Sequence, residues 1–138
     1  MKKFLLVLCM AAVMIPACGS NAESASLIGT WKLTALGSAE SLQPAAADIE
    51  ATLTFGDDGN LSGNVGCNGF GGRYTVEGGK IVLEALVSTL MACAEPRMTQ
   101  EITTLRILTD SVDYKIEGNT LTITNNGEVL VLEAANSQ

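Results

Sequence analysis

The chain contains no histidine. That absence removes the Ser-His and Cys-His pairs that activate most side-chain nucleophiles, and it leaves a zinc site short of its usual nitrogen ligands. Aromatic residues are scarce, and beyond the leader only Trp31, Phe55, Phe70, Tyr74 and Tyr114 remain. That is a thin set for stacking a sugar or a flat ligand. Basic residues number 8 against 15 acidic ones. Those past the leader (Lys32, Arg73, Lys80, Arg97, Arg106 and Lys115) are scattered and form no patch in sequence. A net charge of −7 opposes binding to nucleic acid and to anionic lipid through the domain itself, so nucleic acid is excluded as a partner. There is also no long apolar run. Phe4 to Ile15 is apolar, but a helix needs about 20 such residues to cross a bilayer.

That short run has another use. Lys2 and Lys3 precede it and small residues follow it, which is the anatomy of a secretory leader. Ile15-Pro16-Ala17-Cys18 resembles the lipobox of bacterial lipoproteins and departs from it at Pro16. The resemblance implies a signal peptide over residues 1–17 and lipidation of Cys18. Several acyl chains on one cysteine make a stable anchor where a single chain binds only marginally. Cys9 is discarded with the leader. Residues 18–26 are small and polar and read as a flexible tether, and residues 27–135 form the domain. The expected address is the bacterial cell envelope, lipid-anchored, in the outer membrane where the cell has one. A cut after Ala22 is the alternative and would release a secreted or periplasmic protein. Cleavage at Cys18 removes two basic residues and no acidic one, taking the net charge from −7 to −9.

The remainder has the grammar of a small β protein. "LIGTWKLTAL" from Leu27 is the first strand, and "GSAESLQPAAAD" is a loop with no strong period. In "IEATLTF", Leu53 and Phe55 alternate with Thr52 and Thr54, the pattern of a half-buried strand. Asp58-Gly59, Gly78-Gly79, Gly118-Asn119 and Asn126-Gly127 each separate two strand-like runs, and such dipeptides are the strongest short hairpin signals. One stretch breaks the pattern. Between Glu95 and about Leu108, Met98, Ile102 and Leu105 recur at i, i+4, i+7, the stripe of an amphipathic helix. Pro96 suits its first turn, and Arg97 and Glu101 stand at a pairing distance of four. The expected fold is mainly β with one α-helix, about eight strands in an antiparallel, barrel-like meander closed by that helix.

"GNVGCNGFGGRY", Gly63 to Tyr74, is the most unusual segment. It is no phosphate loop, because it leads from strand to strand and carries no lysine. Cys67 and Cys93 alone make a poor metal site. Asp57 to Asn60 lacks the form of a calcium loop and reads as a solvated hairpin tip. No metal and no cofactor are implied. In an exported chain an even pair of cysteines most often forms a disulfide, worth roughly 3 kcal/mol in the chain-entropy account. A reactive thiol pair is the alternative, without a CxxC spacing or a basic neighbour to support it. Gly66, Gly69, Gly71 and Gly72 are expected to supply positive φ or close backbone approach, and Asn68 a left-handed residue or a turn cap.

Two spaced motifs in this region resemble the META, or HslJ-like, domain. Its G-x-x-G-C-N-x-x-x-G-x-Y run falls on Gly63, Gly66, Cys67, Asn68, Gly72 and Tyr74. Its later T-x-M-x-C falls on Thr89, Met91 and Cys93, and its helical glutamate on Glu101. The opening strand with Trp31 matches as well, so the resemblance runs from about Leu27 to Ala134. Leu90 stands where the family often has a basic residue. The resemblance implies a compact barrel-like fold on envelope lipoproteins, in a setting of heat shock or antibiotic tolerance, with no established activity. Three functions follow as expectations. The first is a non-enzymatic, lipid-anchored envelope module that contacts an unidentified envelope protein. The second is a small-ligand carrier using the barrel interior, with Trp31 and Tyr74 as contacts. The third is a hydrolase inhibitor presenting the Gly66–Gly72 loop.

Overall fold

The computed structural model describes residues 26–135. The leader, Cys18, Ala22 and all of the tether except Ser26 lie outside the described residues. Ten strands and one helix follow in the order β1 (Gly29–Ser38), β2 (Ser41–Pro44), β3 (Thr52–Phe55), β4 (Asn60–Asn64), β5 (Gly69–Glu77), β6 (Lys80–Leu83), β7 (Val87–Ser88), α1 (Arg97–Ile107), β8 (Ser111–Glu117), β9 (Thr120–Asn125) and β10 (Glu128–Ala134). Eight of the strands close into an antiparallel barrel. The path runs β10-β9-β8-β6-β5-β4-β3-β1, and β1 pairs back onto β10. Closure leaves these eight without a free edge over the paired lengths.

The four dipeptides all make turns. Gly78 and Gly79, and Asn126 and Gly127, have positive φ at both positions, which matches the twist of the strands they join. Inside, alternation delivers a packed core. Leu53, Leu61, Val65, Ile81, Val112, Leu121, Ile123, Leu130 and Leu132 are all fully buried.

β1 does the work of two strands. Trp31 and Leu33 point inward, and then Leu36 does. The switch from odd to even positions comes from a register shift between Leu33 and Ala35 against β10, a bulge with Thr34 as its extra residue. The Thr34 hydroxyl donates to Val131 O at 3.1 Å. Before the bulge β1 pairs with β3, and after it with β2. The sequence showed β2 as loop because all four of its residues are exposed. A strand held only by main-chain pairing carries no hydrophobic period. Likewise "KIVLEALV" is two strands, β6 and β7, with a break between them.

The chain enters at Ser26 beside Gly29, which pairs with Phe55. The Asp57–Asp58 and Gly118–Asn119 turns and the end of β10 lie at this same, proximal end. The distal end holds the β4–β5 loop, the Asn126–Gly127 turn and α1. The Asn125 amide donates to Ile107 O at 2.9 Å, and Arg106 pairs with Glu128. α1 therefore lies across the distal mouth.

The helix is where sequence reasoning departs furthest from the structure. It begins at Arg97, with Pro96 just before the first helical residue rather than in the first turn. Its buried residues are Gln100, Glu101, Thr104 and Ile107, whereas Ile102 of the expected apolar stripe is 60% exposed. The helix covers a barrel mouth lined with loop main chain, and unpaired main-chain groups demand polar partners more strongly than an apolar stripe demands burial. Arg97 does not pair with Glu101. It binds Asp48 at 2.8 Å. The two faces predict a contrast in urea unfolding. Ile107→Ala should cost about 2–5 kcal/mol as a core truncation, and Ile102→Ala should stay within about 0.5 kcal/mol. Equal losses would restore the apolar stripe as the packed face.

Candidate functional site

Cys67, Asn68, Thr89, Met91, Cys93 and Glu101 of the motif meet at the distal mouth around one carboxylate. Glu101 is 4% exposed. Its Oε2 accepts the main-chain N–H of Cys67 at 2.6 Å and of Asn68 at 2.5 Å. Its Oε1 accepts the Asn68 amide at 2.7 Å. Asn68 spends the rest of its side chain on the segment that leads into the helix. Its Nδ2 also donates to Met91 O at 3.1 Å, and its Oδ1 accepts from the Thr89 hydroxyl at 2.8 Å and from Met91 N–H at 2.7 Å. Both amide hydrogens and both lone pairs of the oxygen are thus engaged. Gln100, one residue before, joins two more loops. It donates to Val65 O and accepts from Ala46 N–H, each at 2.6 Å. Among the described residues, no buried side-chain nitrogen or oxygen lacks a partner.

The disulfide joins Cys67 to Cys93 with Cα atoms 5.8 Å apart, and it locks the same loop to the same segment covalently. The thiol-pair alternative does not hold in this structure. Of the two roles expected of the motif glycines, close approach is found at Gly66 and Gly72 and positive φ is not. None of Gly63, Gly66, Gly69, Gly71 and Gly72 has a left-handed φ, and neither does Asn68. Gly66 is needed for lack of bulk. A Cβ there would run into Arg97 O and come within 2.7 Å of the Glu101 Cβ. Gly63 lies as close against Thr52 O, and a Cβ at Gly72 would press on Leu86 at 2.7 Å. The bare Gly66 lets the helix sit directly on the loop.

Burial pushes the Glu101 carboxyl upward, but hydrogen bonds from the Asn68 N–H, the Asn68 amide and the Cys67 N–H outweigh it. The net effect holds Glu101 below the ordinary carboxylate value. A charge that is buried and fully bonded is committed to structure and is not free to take a proton from a substrate.

The two aromatics put forward as ligand contacts are packed and bonded to their own main chain. Trp31 is 4% exposed and donates Nε1–H to Leu27 O at 2.8 Å. Tyr74 donates to Gly56 O at 2.7 Å and meets Phe55 edge-on with ring centroids 5.1 Å apart. Burial raises the Tyr74 hydroxyl above its usual value, with Asp58 and Asp57 adding to it. Gly66, Cys67 and Asn68 are buried as well, so the Gly66–Gly72 loop cannot be offered whole to a hydrolase. Asp57 to Asn60 is a hairpin tip. Asp58 accepts from the Asn60 N–H at 3.0 Å, and Asn60's bonds lower its carboxyl.

What the motif leaves outside is apolar. Val87 is 74% exposed, Leu90 96%, Met91 58% and Ile102 60%. Leu90, Met91 and Ile102 share one hollow with Met98 and Leu105. Met91 belongs to the motif through its main chain, while its side chain faces outward. Sequence reasoning assigned Ile102 and Met98 to the core, and the cue that it lacked was the polar face of α1, Gln100-Glu101-Thr104, spaced to meet a loop.

The site generates a prediction with a definite sign. A folded carboxyl held low contributes stability that is fully present above its unfolded value and lost as pH falls through the folded one. Unfolding free energy should therefore fall as pH drops below the ordinary carboxylate value. Glu101→Gln should remove that part of the acid dependence. It should also cost about 2–4 kcal/mol at neutral pH, because an amide nitrogen must face one of the donors. Urea titrations of both proteins from pH 7 to pH 3 measure it, and unchanged stability in Glu101→Gln would refute the assignment.

The family model of the META domain matches residues 25–137. No curated protein matches the chain. Among solved structures, the chain is similar to an NMR structure of a protein from Burkholderia xenovorans, at 26% identity and a TM-score of 0.67, covering 80% of this chain and 83% of that one. A second NMR structure is similar at 23% identity and a TM-score of 0.65, over 78% of this chain and 89% of that one. The fold is shared by a crystal structure of a DUF4847 family protein from Bacteroides vulgatus, at 16% identity and a TM-score of 0.54, over 80% and 94%. With its family model spanning every described residue and the motif's cysteines, asparagine, threonine and glutamate gathered at one end of the barrel, the chain belongs to the META domain family.

Proposed function

We propose that this chain is a non-enzymatic, lipid-anchored module of the bacterial cell envelope that contacts another protein, in a setting of stress or antibiotic tolerance. The observation that carries the proposal is the exposed apolar cluster of Leu90, Met91 and Ile102 around one hollow. Large contiguous apolar surface on a small domain marks an interaction site. The cluster lies at the distal end of the barrel, while Ser26 leads back toward the tether from the proximal end. An anchor at Cys18 would leave that face free to meet a partner. The groups at the motif with chemistry to offer are already used, Glu101 by three donors and the two cysteines by each other.

Two measurements test this. The intact mass of protein extracted from the envelope should show acyl chains on Cys18, and a chain starting after Ala22 would remove the anchor. A photo-crosslinking amino acid in place of Leu90 should capture a protein in the producing cell. The same group in place of Thr75, exposed on β5, should not. Capture at Leu90 no greater than at Thr75 would sink the contact.

A further inference from the structure

Beside the apolar cluster, one wall of the groove is main chain. β4 pairs along one side of β5, and β7 and β6 share its other side. β7 has β5 on one side only. Thr89 donates its N–H to Gly69 O at 3.2 Å, which marks Gly69 and Thr89 as a hydrogen-bonded pair. Such pairs alternate along an antiparallel ladder. Val87, opposite Gly71, therefore also bonds toward β5, and Ser88 between them turns its N–H and C=O off the edge.

That edge opens on a groove between β7 and α1. Two hollows of about 340 and 320 Å³ meet at Ser88 and Leu105. Leu83, Leu86 and Leu108 line one, and Met91, Met98 and Ile102 line the other. Glu84 and Asp110 stand in the first hollow, toward the C-terminal end of α1. Among the described residues neither belongs to an ion pair. Natural sheet edges are usually blunted by charge or proline. β2, the other partly unpaired strand, ends in Pro44. The stretch from Leu86 to Leu90 carries neither device.

We infer that β7 accepts an extended, mainly apolar polypeptide segment as an added strand, with a Lys or Arg of that segment over Glu84 and Asp110. The inference rests on the protein-contact proposal above and names the partner's chemistry. Ser88 would exchange both main-chain bonds with one residue of the segment, as in strand addition generally. Alternate side chains of the segment would enter the groove against Leu86 and Leu105. The two carboxylates set its direction by opposite charge.

The test uses the full chain in its producing cell with the crosslinker in place of Leu90. Ser88→Pro deletes the one N–H that points off the edge and no bond to β5, a position where proline is tolerated. Ser88→Ala keeps that N–H. Capture should fall about tenfold or more in Ser88→Pro, the loss expected when a bonded main-chain pair is broken at an interface, and be unchanged in Ser88→Ala. Reversing both carboxylates, Glu84→Lys with Asp110→Lys, should also weaken it. As a second readout independent of folding in the proline variant, exchange of the Ser88 amide of the unmutated chain should slow about tenfold in the purified complex with its captured partner, for the same bond. Full capture by Ser88→Pro, or an unslowed Ser88 amide, overturns strand addition and leaves the contact proposal standing. No capture by any chain overturns both.

Discussion

The buried carboxylate of Glu101 holds the distal end of this protein together. A barrel of eight strands closes its own wall, but its mouth must still be covered, and the loops there carry main-chain N–H groups that water can no longer reach. An anion placed among them satisfies two such N–H groups and the Asn68 side-chain amide at once. Charge-assisted bonds of this kind are about twice as strong as neutral ones, and they become more valuable as water is excluded. The cost of burying the charge is offset only because every donor is in place. Remove the helix and the loop loses its acceptor. Move the loop and the helix is left with a buried, unpaired charge.

The rest of the distal architecture follows from that requirement. Gly66 lacks a side chain so that the helix backbone can come close enough for the carboxylate to reach. Asn68 passes the connection on to Thr89 and Met91, so the segment between β7 and α1 is held without becoming a strand or helix itself. The disulfide secures the same two pieces of chain, and it acts mainly on the unfolded state by shortening the chain's freedom. Hydrogen bonds order the native loop while the covalent link limits its alternatives. Because polar groups anchor the first turns of the helix on its inner side, Ile102 is left for the outside while Ile107 stays in the core. The exposed cluster is thus a consequence of how the mouth is sealed.

This arrangement explains why the family motif mixes glycine, asparagine, cysteine, threonine and glutamate across nearly forty positions of sequence. In space they are a single joint, with each polar atom used. What remains is the surface around the joint, which the motif constrains through main chain alone at Met91 and not at all at Leu90.

Much was legible before any coordinates. Four turn dipeptides with period-2 runs between them determined a β-meander, because positive φ and alternation are local properties that the residue types impose by themselves. Two cysteines in a chain expected to be exported pointed to one disulfide. The tertiary structure decided what locality cannot. β2 exists only because β1 is there to pair with it, and the bulge at Thr34 is what frees β1 to do so. The face of α1 that turns inward was decided by the loop beneath it, whose unpaired N–H groups outrank an apolar stripe. The glycines of the motif were chosen by what packs on them, since their own φ values are ordinary. Sequence periodicity reports where apolar side chains recur. It does not report which main-chain groups will be left without water, and here that need determined how the barrel is closed.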